Sequence, residues 1–337
     1  MSNLIPRIIG TGWAVPAGIR YNDDPIFDWL KQHNPDPKLF DGYKERHVLG
    51  DGEDLIDIML PAAQMALQKA GKQAADIDIL LGLGSVSTYI QPNMLSLLHR
   101  ELGLPPDAWV IPIGNDYSNY ASSLLLADGL LRAGHAKNVL VCIGGSWTRN
   151  VDYHTQQSIS AADGAGAAVM ALCADESKWF VAGQHTVTDS TFYGSMYTSG
   201  EQLAANPPIN GYSTVFGPHF FQITPQGMQG FKTFGTATAL SAVTALLQEH
   251  NLSGSDISFM PHETSEYLIK YWCDNMPGKL GQVLSTIEQF ANTTVATHAL
   301  SMAWCEENVV IEKDNLVMLA LGPDMHANAM LLKRGSG

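Results

Sequence analysis

The sequence has 337 residues, with 19 Lys+Arg against 33 Asp+Glu for a net charge of −14, and 45% apolar against only 15% charged residues. A surface of that sign repels phosphate backbones and anionic lipid heads over a Debye length of about 8–10 Å, which excludes nucleic-acid and membrane-surface partners. The apolar share supports a large folded core and excludes disorder, and the length suits two domains.

The opening residues, MSNLIPRIIGTG, contain no apolar stretch of signal-peptide length, and no later run approaches the roughly 20 residues of a membrane span, so a cytoplasmic protein is expected. Gly10-Thr11-Gly12 invites a dinucleotide-loop reading, but Val15 stands at the third glycine position and Pro16 follows where a helix should run. A tight turn between two strands is expected there. Residues 65–81, MALQKAGKQAADIDILL, read as an amphipathic helix, a turn at Asp76-Ile77 and an apolar strand. Pro105-Pro106 breaks a helix that ends near Leu102. A helix over 117–133 is closed by Gly134, and NVLVCIGG (138–145) reads as a strand. Ser146 lies in GGSWT, which lacks the last glycine of a nucleophile elbow.

The second half of the chain repeats this plan. ALLQEHNLSGSDISFM (245–260) matches the segment around 65–80 at a spacing of 180, with Leu247-Gln248 for Leu67-Gln68 and Asp256-Ile257 for Asp76-Ile77. NLVMLALG (315–322) echoes NVLVCIGG. Two similar halves, 1–173 and 174–337, are expected. Short continuous apolar runs alternating with helical segments indicate strands covered on both faces, hence a layered α/β fold whose halves pack as one unit. His262-Glu263-Thr264-Ser265-Glu266 falls short of a zincin motif because its last residue is a carboxylate. Cys142, Cys173, Cys273 and Cys305 form no CxxC pair and are expected to be reduced core thiols.

Five strings in order, IIGTGWAVP (8–16), GYKERH (42–47), ADGAGAAVM (162–170), MPHETS (260–265) and ANTTVAT (291–297), resemble the motifs of ketoacyl synthase III over nearly the whole chain. The resemblance implies the thiolase fold, a layered α-β-α-β-α unit of two similar halves. It implies an acyltransferase of fatty-acid-like or polyketide-like metabolism, of a specialised kind. Its substrate would be an acyl thioester of CoA or of a carrier protein, and no metal, nicotinamide or flavin cofactor is implied. A dimer is implied as well, since the family shares a pocket residue across its interface, at Gln91 here.

In that family a cysteine at a helix N-terminus carries the acyl group, while a His and an Asn stabilise the enolate left by decarboxylation. The motifs place the last two at His262 and Asn292. The bland readings are a loop histidine and a helix cap. Counting back from Leu126-Ala127-Asp128 puts the cysteine position at Tyr117, a poor acyl carrier because a phenol of pKa about 10 is almost wholly un-ionised at pH 7. Ser118 could serve instead only after a one-residue register shift, which turns a helical side chain by about 100°. Gly322-Pro323-Asp324 stands for the family's Gly-rich loop, and Asp36 and Phe40 stand for its CoA-gripping Trp and Arg. Its basic carrier-protein surface falls on Lys232, which is kept, and on Tyr267, Asp274 and Asn275. Two readings remain open: an enzyme that transfers or decarboxylates an acyl or malonyl thioester without a cysteine acyl-enzyme, or a noncatalytic partner completing a mixed dimer with a cysteine-bearing ketosynthase.

Overall fold

In the computed structural model, which describes residues 4–89, 91–199 and 220–336, the continuous apolar runs form strands buried along nearly their whole length. β1 (Ile5–Ala14), β2 (Ile79–Ser85), β3 (Trp109–Pro112), β4 (Asn138–Ser146) and β5 (Asp163–Cys173) make one five-stranded sheet in the order β1-β5-β4-β2-β3. β6 (Phe180–Thr188), β7 (Ser258–Pro261), β8 (Gln282–Val283), β9 (Asn315–Leu321) and β10 (His326–Lys333) make a second, in the order β8-β7-β9-β10-β6.

Read from opposite ends, the two sheets have the same strand order and directions. β4 pairs parallel with β2 and antiparallel with β5, as β9 pairs parallel with β7 and antiparallel with β10. The sequence echo at Asp76 and Asp256 has a local cause. Each aspartate closes a single 3-10 turn by accepting a hydrogen bond from the backbone N–H of Gln73 or Ser253, in a reciprocal capping box.

Helices fill three layers around the sheets. α1 (Ile56–Ala70) and α2 (Leu95–Leu102) cover the outer face of the first sheet, packing Met59, Ala66 and Leu98 on Leu140, Ala167 and Val169. α3 (Asn119–Arg132) and α6 (Thr297–Asn308) lie between the sheets, where Leu124, Leu131, Ala299 and Met302 share one core with Val141 of β4 and Met318 of β9. α4 (Ala239–Glu249) and α5 (Glu266–Asp274) cover the second sheet with Leu246 and Trp272 against Phe259 and Val317. Because both faces of both sheets are apolar, neither half could stand alone with its inner face in water.

The expected turn at Gly10-Thr11-Gly12 is corrected: these residues lie inside the ten-residue strand β1. A Cβ on Gly12 would come within 2.1 Å of the Ala62 carbonyl, so the glycines let α1 approach the strand and do not bend it. The expectation of four core thiols also needs amending, since Cys142 and Cys305 are buried but Cys173 and Cys273 are half-buried. Among the described residues no helix is long and apolar enough to cross a membrane.

Candidate active site

The parallel strands β4, β7 and β9 end on the same side of the molecule, and the segments leaving them converge with the start of α3 and the loop before α6. Carboxyl ends of parallel strands are where α/β proteins gather ligand-binding groups, because the chain turns there from sheet into loop and helix. Tyr117 occupies the 3-10 turn Asp116–Ser118 that leads into α3, and its ring stacks on the imidazole of His262, with centroids 5.2 Å apart and planes at 18°. His262 follows the last residue of β7 and is completely buried. Neither of its ring nitrogens finds a hydrogen-bond partner among the described residues. Burial, with His298 and His326 nearby, holds its pKa well below the usual imidazole range, so the ring is neutral at physiological pH.

Asn292 is wired into the backbone. Its N–H donates to the Ser160 carbonyl (2.9 Å), its carbonyl accepts from the Trp147 indole (2.7 Å), and its side-chain oxygen accepts from the Thr294 N–H (2.8 Å). That last bond closes an Asx turn one residue before Thr293, which is the N-cap of the 3-10 turn Thr294–Ala296. Ala291 (φ 48°) and Thr294 (φ 53°) on either side hold left-handed backbone that L side chains rarely adopt, at about 1–3 kcal/mol each. That strain presents Asn292 to a cavity of about 800 Å³, which Tyr117, Gly322, Lys232 and the apolar Phe221 and Phe231 also line.

Of the other sequence-derived positions, Asp36 and Tyr267 line the same cavity, whereas Gln91 is exposed and outside its lining. Phe40 lies outside this lining: its ring packs on Phe27 (centroids 5.3 Å) and near the Arg46 guanidinium (5.7 Å). Asp274 pairs with Lys270 along α5 (2.9 Å), and Asn275 caps that helix, so these two serve α5 itself. The aspartate of the ADGAGAAVM strand, Asp163, is a buried support for the site's floor, accepting hydrogen bonds from Leu49 N (2.9 Å) and from Thr148 Oγ1 (2.6 Å).

One residue, His326, escaped the sequence reading, and it joins two that were singled out for other reasons. Ser118 Oγ lies 2.6 Å from His326 Nε2, and His326 Nδ1 lies 2.5 Å from a carboxylate oxygen of Asp324. The hydrogen bond from His326 holds Asp324 below the usual carboxylate range, while burial, with Asp324 adding to it, raises Asp116. The signal available was Asp-Met-His in the turn after an apolar strand, spaced so that the carboxylate reaches its own histidine. Among the described residues no group of three or more His, Cys, Asp or Glu is placed to hold a metal ion.

Glu263, next to His262, is 1% exposed and accepts from the Thr286 N–H (2.6 Å) and the Ser285 hydroxyl (2.9 Å). Burial overrides those donors and pushes its pKa from 4.5 up to about 8. The fold therefore prefers the protonated acid, so this contribution to stability is intact below pH 4.5 and lost as pH rises towards 8. Glu263→Gln keeps the shape and removes the titration. In urea denaturation the variant should gain about 3 kcal/mol relative to the wild type between about pH 5 and pH 8. A difference that stays flat with pH would show that the buried acid does not titrate in this range.

A profile of 3-oxoacyl-(acyl-carrier-protein) synthase III matches residues 116–190, the stretch from the Tyr117 turn through β5 and β6. The β-ketoacyl-(acyl-carrier-protein) synthase III of Brucella anthropi is 26% identical over 336 residues, covering 96% of this chain and 98% of that protein. Two solved structures superimpose over nearly the whole length. The priming β-ketosynthase of a polyketide biosynthetic pathway has a TM-score of 0.84 at 20% identity, covering 99% of this chain and 98% of its own. The 3-oxoacyl-(acyl-carrier-protein) synthase III of Aquifex aeolicus has a TM-score of 0.79 at 20% identity, covering 97% and 99%. With an α-β-α-β-α build in common, the chain has the thiolase fold, and its sequence is similar almost from end to end to the ketoacyl synthase III enzymes.

Proposed function

We propose that this protein acts on an acyl or malonyl thioester, by acyl transfer or decarboxylation, without an acyl-enzyme on a cysteine. The observation that carries the reading is the phenol of Tyr117 packed on His262 at the amino end of α3, where the family resemblance calls for a thiol. None of Cys142, Cys173, Cys273 and Cys305 lines the cavity that Tyr117 and Asn292 share. Burial raises the phenol of Tyr117 further above its ordinary range, which disfavours it as a nucleophile.

The remaining groups suit an enolate or a polarised carbonyl. A neutral His262 with two unpartnered ring nitrogens can donate one hydrogen bond, and the Asn292 amide can supply another, to an oxygen that gains charge during decarboxylation or acyl transfer. The apolar walls of the cavity fit an acyl chain. Lys232 on its lining offers a cation to a CoA or carrier-protein phosphate. In this reading the halves 1–173 and 174–337 form one cytoplasmic protomer of a homodimer, and one sheet comes from each half.

The test is direct. Purified protein given malonyl, acetyl and longer acyl thioesters should release carbon dioxide or acylate an amine or alcohol, and His262→Ala should slow this by about a hundredfold or more. No turnover of any thioester by folded protein would overturn the reading.

One observation favours a second reading, a noncatalytic partner of a cysteine-bearing ketosynthase in a mixed dimer. The Tyr117 ring covers one face of a His262 that is already fully buried, as a wall would. Recovery of a stoichiometric ketosynthase with this protein from its native host, together with inactivity of the isolated chain, would select that role.

A further inference from the structure

We propose that Ser118, His326 and Asp324 form a nucleophile–base–orienter relay in which Ser118, and not a thiol, takes the acyl group as an ester. This rests on the thioester reading above and names the covalent carrier for it. The three side chains meet from distant parts of the chain: Ser118 at the mouth of α3, Asp324 in the turn joining β9 to β10, and His326 at the first residue of β10, 208 residues from Ser118. The two contacts are 2.6 and 2.5 Å, and both are consistent with one tautomer. Asp324 accepts from Nδ1–H, which leaves Nε2 free to accept the serine proton. A hydroxyl on a base that is itself held by a carboxylate is the arrangement that activates serine, whatever fold carries it.

The register objection from the sequence dissolves in the geometry. Ser118 does not need to turn by about 100° to reach His262, because it has a base of its own in His326. Its place at the amino end of a fourteen-residue helix adds the favourable field of the helix dipole for a developing oxyanion. Ser118 is 1% exposed, yet the chain on both sides of the relay borders open space. Tyr117 and Asp324 line a second cavity of about 480 Å³, and Gly322, Pro323 and Met325 line the larger one. Displacement of the half-buried Tyr117 ring is the movement that would open Ser118 to a thioester.

The step balances. Ser118 Oγ bonds to the thioester carbonyl carbon while its proton passes to His326 Nε2. The carbon–sulfur bond then breaks, the thiol leaves with that proton, and an O-acyl serine remains. Water, or an amine or hydroxyl acceptor, reverses the sequence by giving its proton to His326 as it attacks the ester. Asp324 stays ionised throughout and stabilises the imidazolium.

Intact-mass spectrometry after incubation with acetyl- and octanoyl-CoA tests the relay, with a fluorophosphonate probe as a readout independent of thioester chemistry. Wild-type protein should gain one acyl mass or one phosphonyl mass, mapped by peptide analysis to Ser118. Ser118→Ala should gain neither, Ser118→Cys should recover the acyl adduct, and Asp324→Asn should slow labelling at least tenfold. His326→Gln should abolish it while melting as the wild type does. Phosphonylation of Ser118 without turnover of any thioester would uphold the relay and remove the thioester reading. His262-dependent turnover that persists in Ser118→Ala, or a label on any other residue, would overturn the relay and leave the thioester reading standing. Absence of both labels from folded wild-type protein would overturn the relay as well.

Discussion

Gly166→Ala is expected to leave little folded protein, although the substitution adds a single methyl group. The Cβ would lie 2.1 Å from the carbonyl carbon of Ala299, 2.3 Å from its oxygen and 2.3 Å from the N–H nitrogen of Leu300. All three are backbone atoms of α6, so no side-chain rotation relieves the clash. The helix would have to move off β5 by more than 1 Å, opening the seam where Ala299, Met302, Ala168 and Met318 share the central core. Overpacking of that kind costs about 3 kcal/mol or more, a large fraction of the 5–15 kcal/mol that holds a typical domain together. Where soluble protein is recovered, its melting temperature should fall by roughly 4 °C or more.

Gly129→Ala is the control. It lies in α3, where a Cβ meets nothing within 4 Å, so alanine there should stabilise by about 0.5–1 kcal/mol through helix propensity. Thermal melts followed by circular dichroism measure both. A Gly166→Ala protein that melts with the wild type would show that α6 has slack against β5.

The same contact gives the ADGAGAAVM string its physical content. As a string it signals resemblance only. In the fold, Asp163 ties β5 to Leu49 and Thr148, Gly164 admits Leu300, and Gly166 admits the α6 backbone. GYKERH has an equally concrete cause. Arg46 is fully buried without a carboxylate among its described partners, donating to the Ile159 carbonyl (2.6 Å) and Asn22 Oδ1 (2.6 Å), with Phe27, Tyr43 and Phe40 around it at 5.3–5.7 Å. Motifs that look catalytic in a string can thus be devices for packing helices close or for satisfying a buried cation.

Much of the fold could be read without coordinates because its signals are local. Continuous apolar runs mark strands covered on both faces, and the echo at a spacing of 180 marks two copies of one plan. The ordered motifs singled out Tyr117, His262 and Asn292; Tyr117 stacks on His262 and shares a cavity lining with Asn292. What stayed hidden depends on which elements touch. Gly10 and Gly12 read as a turn because a strand interior with two glycines carries no local mark of the helix lying on it. Ser118 and His326 are joined only when α3 settles between the two sheets, and no spacing over 208 residues encodes that. Phe40, counted to a ligand-gripping position, has its ring beside the Arg46 cation, a contact that no counting along the chain could show.

Tyr117→Cys should switch on covalent acylation at that position. The substitution is best made on a Ser118→Ala background, so that the serine cannot contribute. Removing the ring takes bulk away from the wall shared by the two cavities and uncovers the face of His262 on which it stacks. The thiol would stand at the amino end of α3, where the helix dipole favours the thiolate, beside an imidazole and within the cavity that Asn292 lines. An ordinary thiol is a few per cent ionised at pH 7, whereas an ordinary phenol is ionised to about one part in a thousand. Tyr117 is disfavoured further by burial, so the gain in nucleophile is at least thirtyfold by roughly this reckoning. Intact-mass measurement after incubation with acyl-CoA should show one acyl group on the double variant, released by neutral hydroxylamine as a thioester is, and none on Ser118→Ala alone. If the double variant folds and stays unmodified, the start of α3 is not a seat from which a thiol can reach the substrate, and the assignment of the cavity to an acyl thioester fails with it.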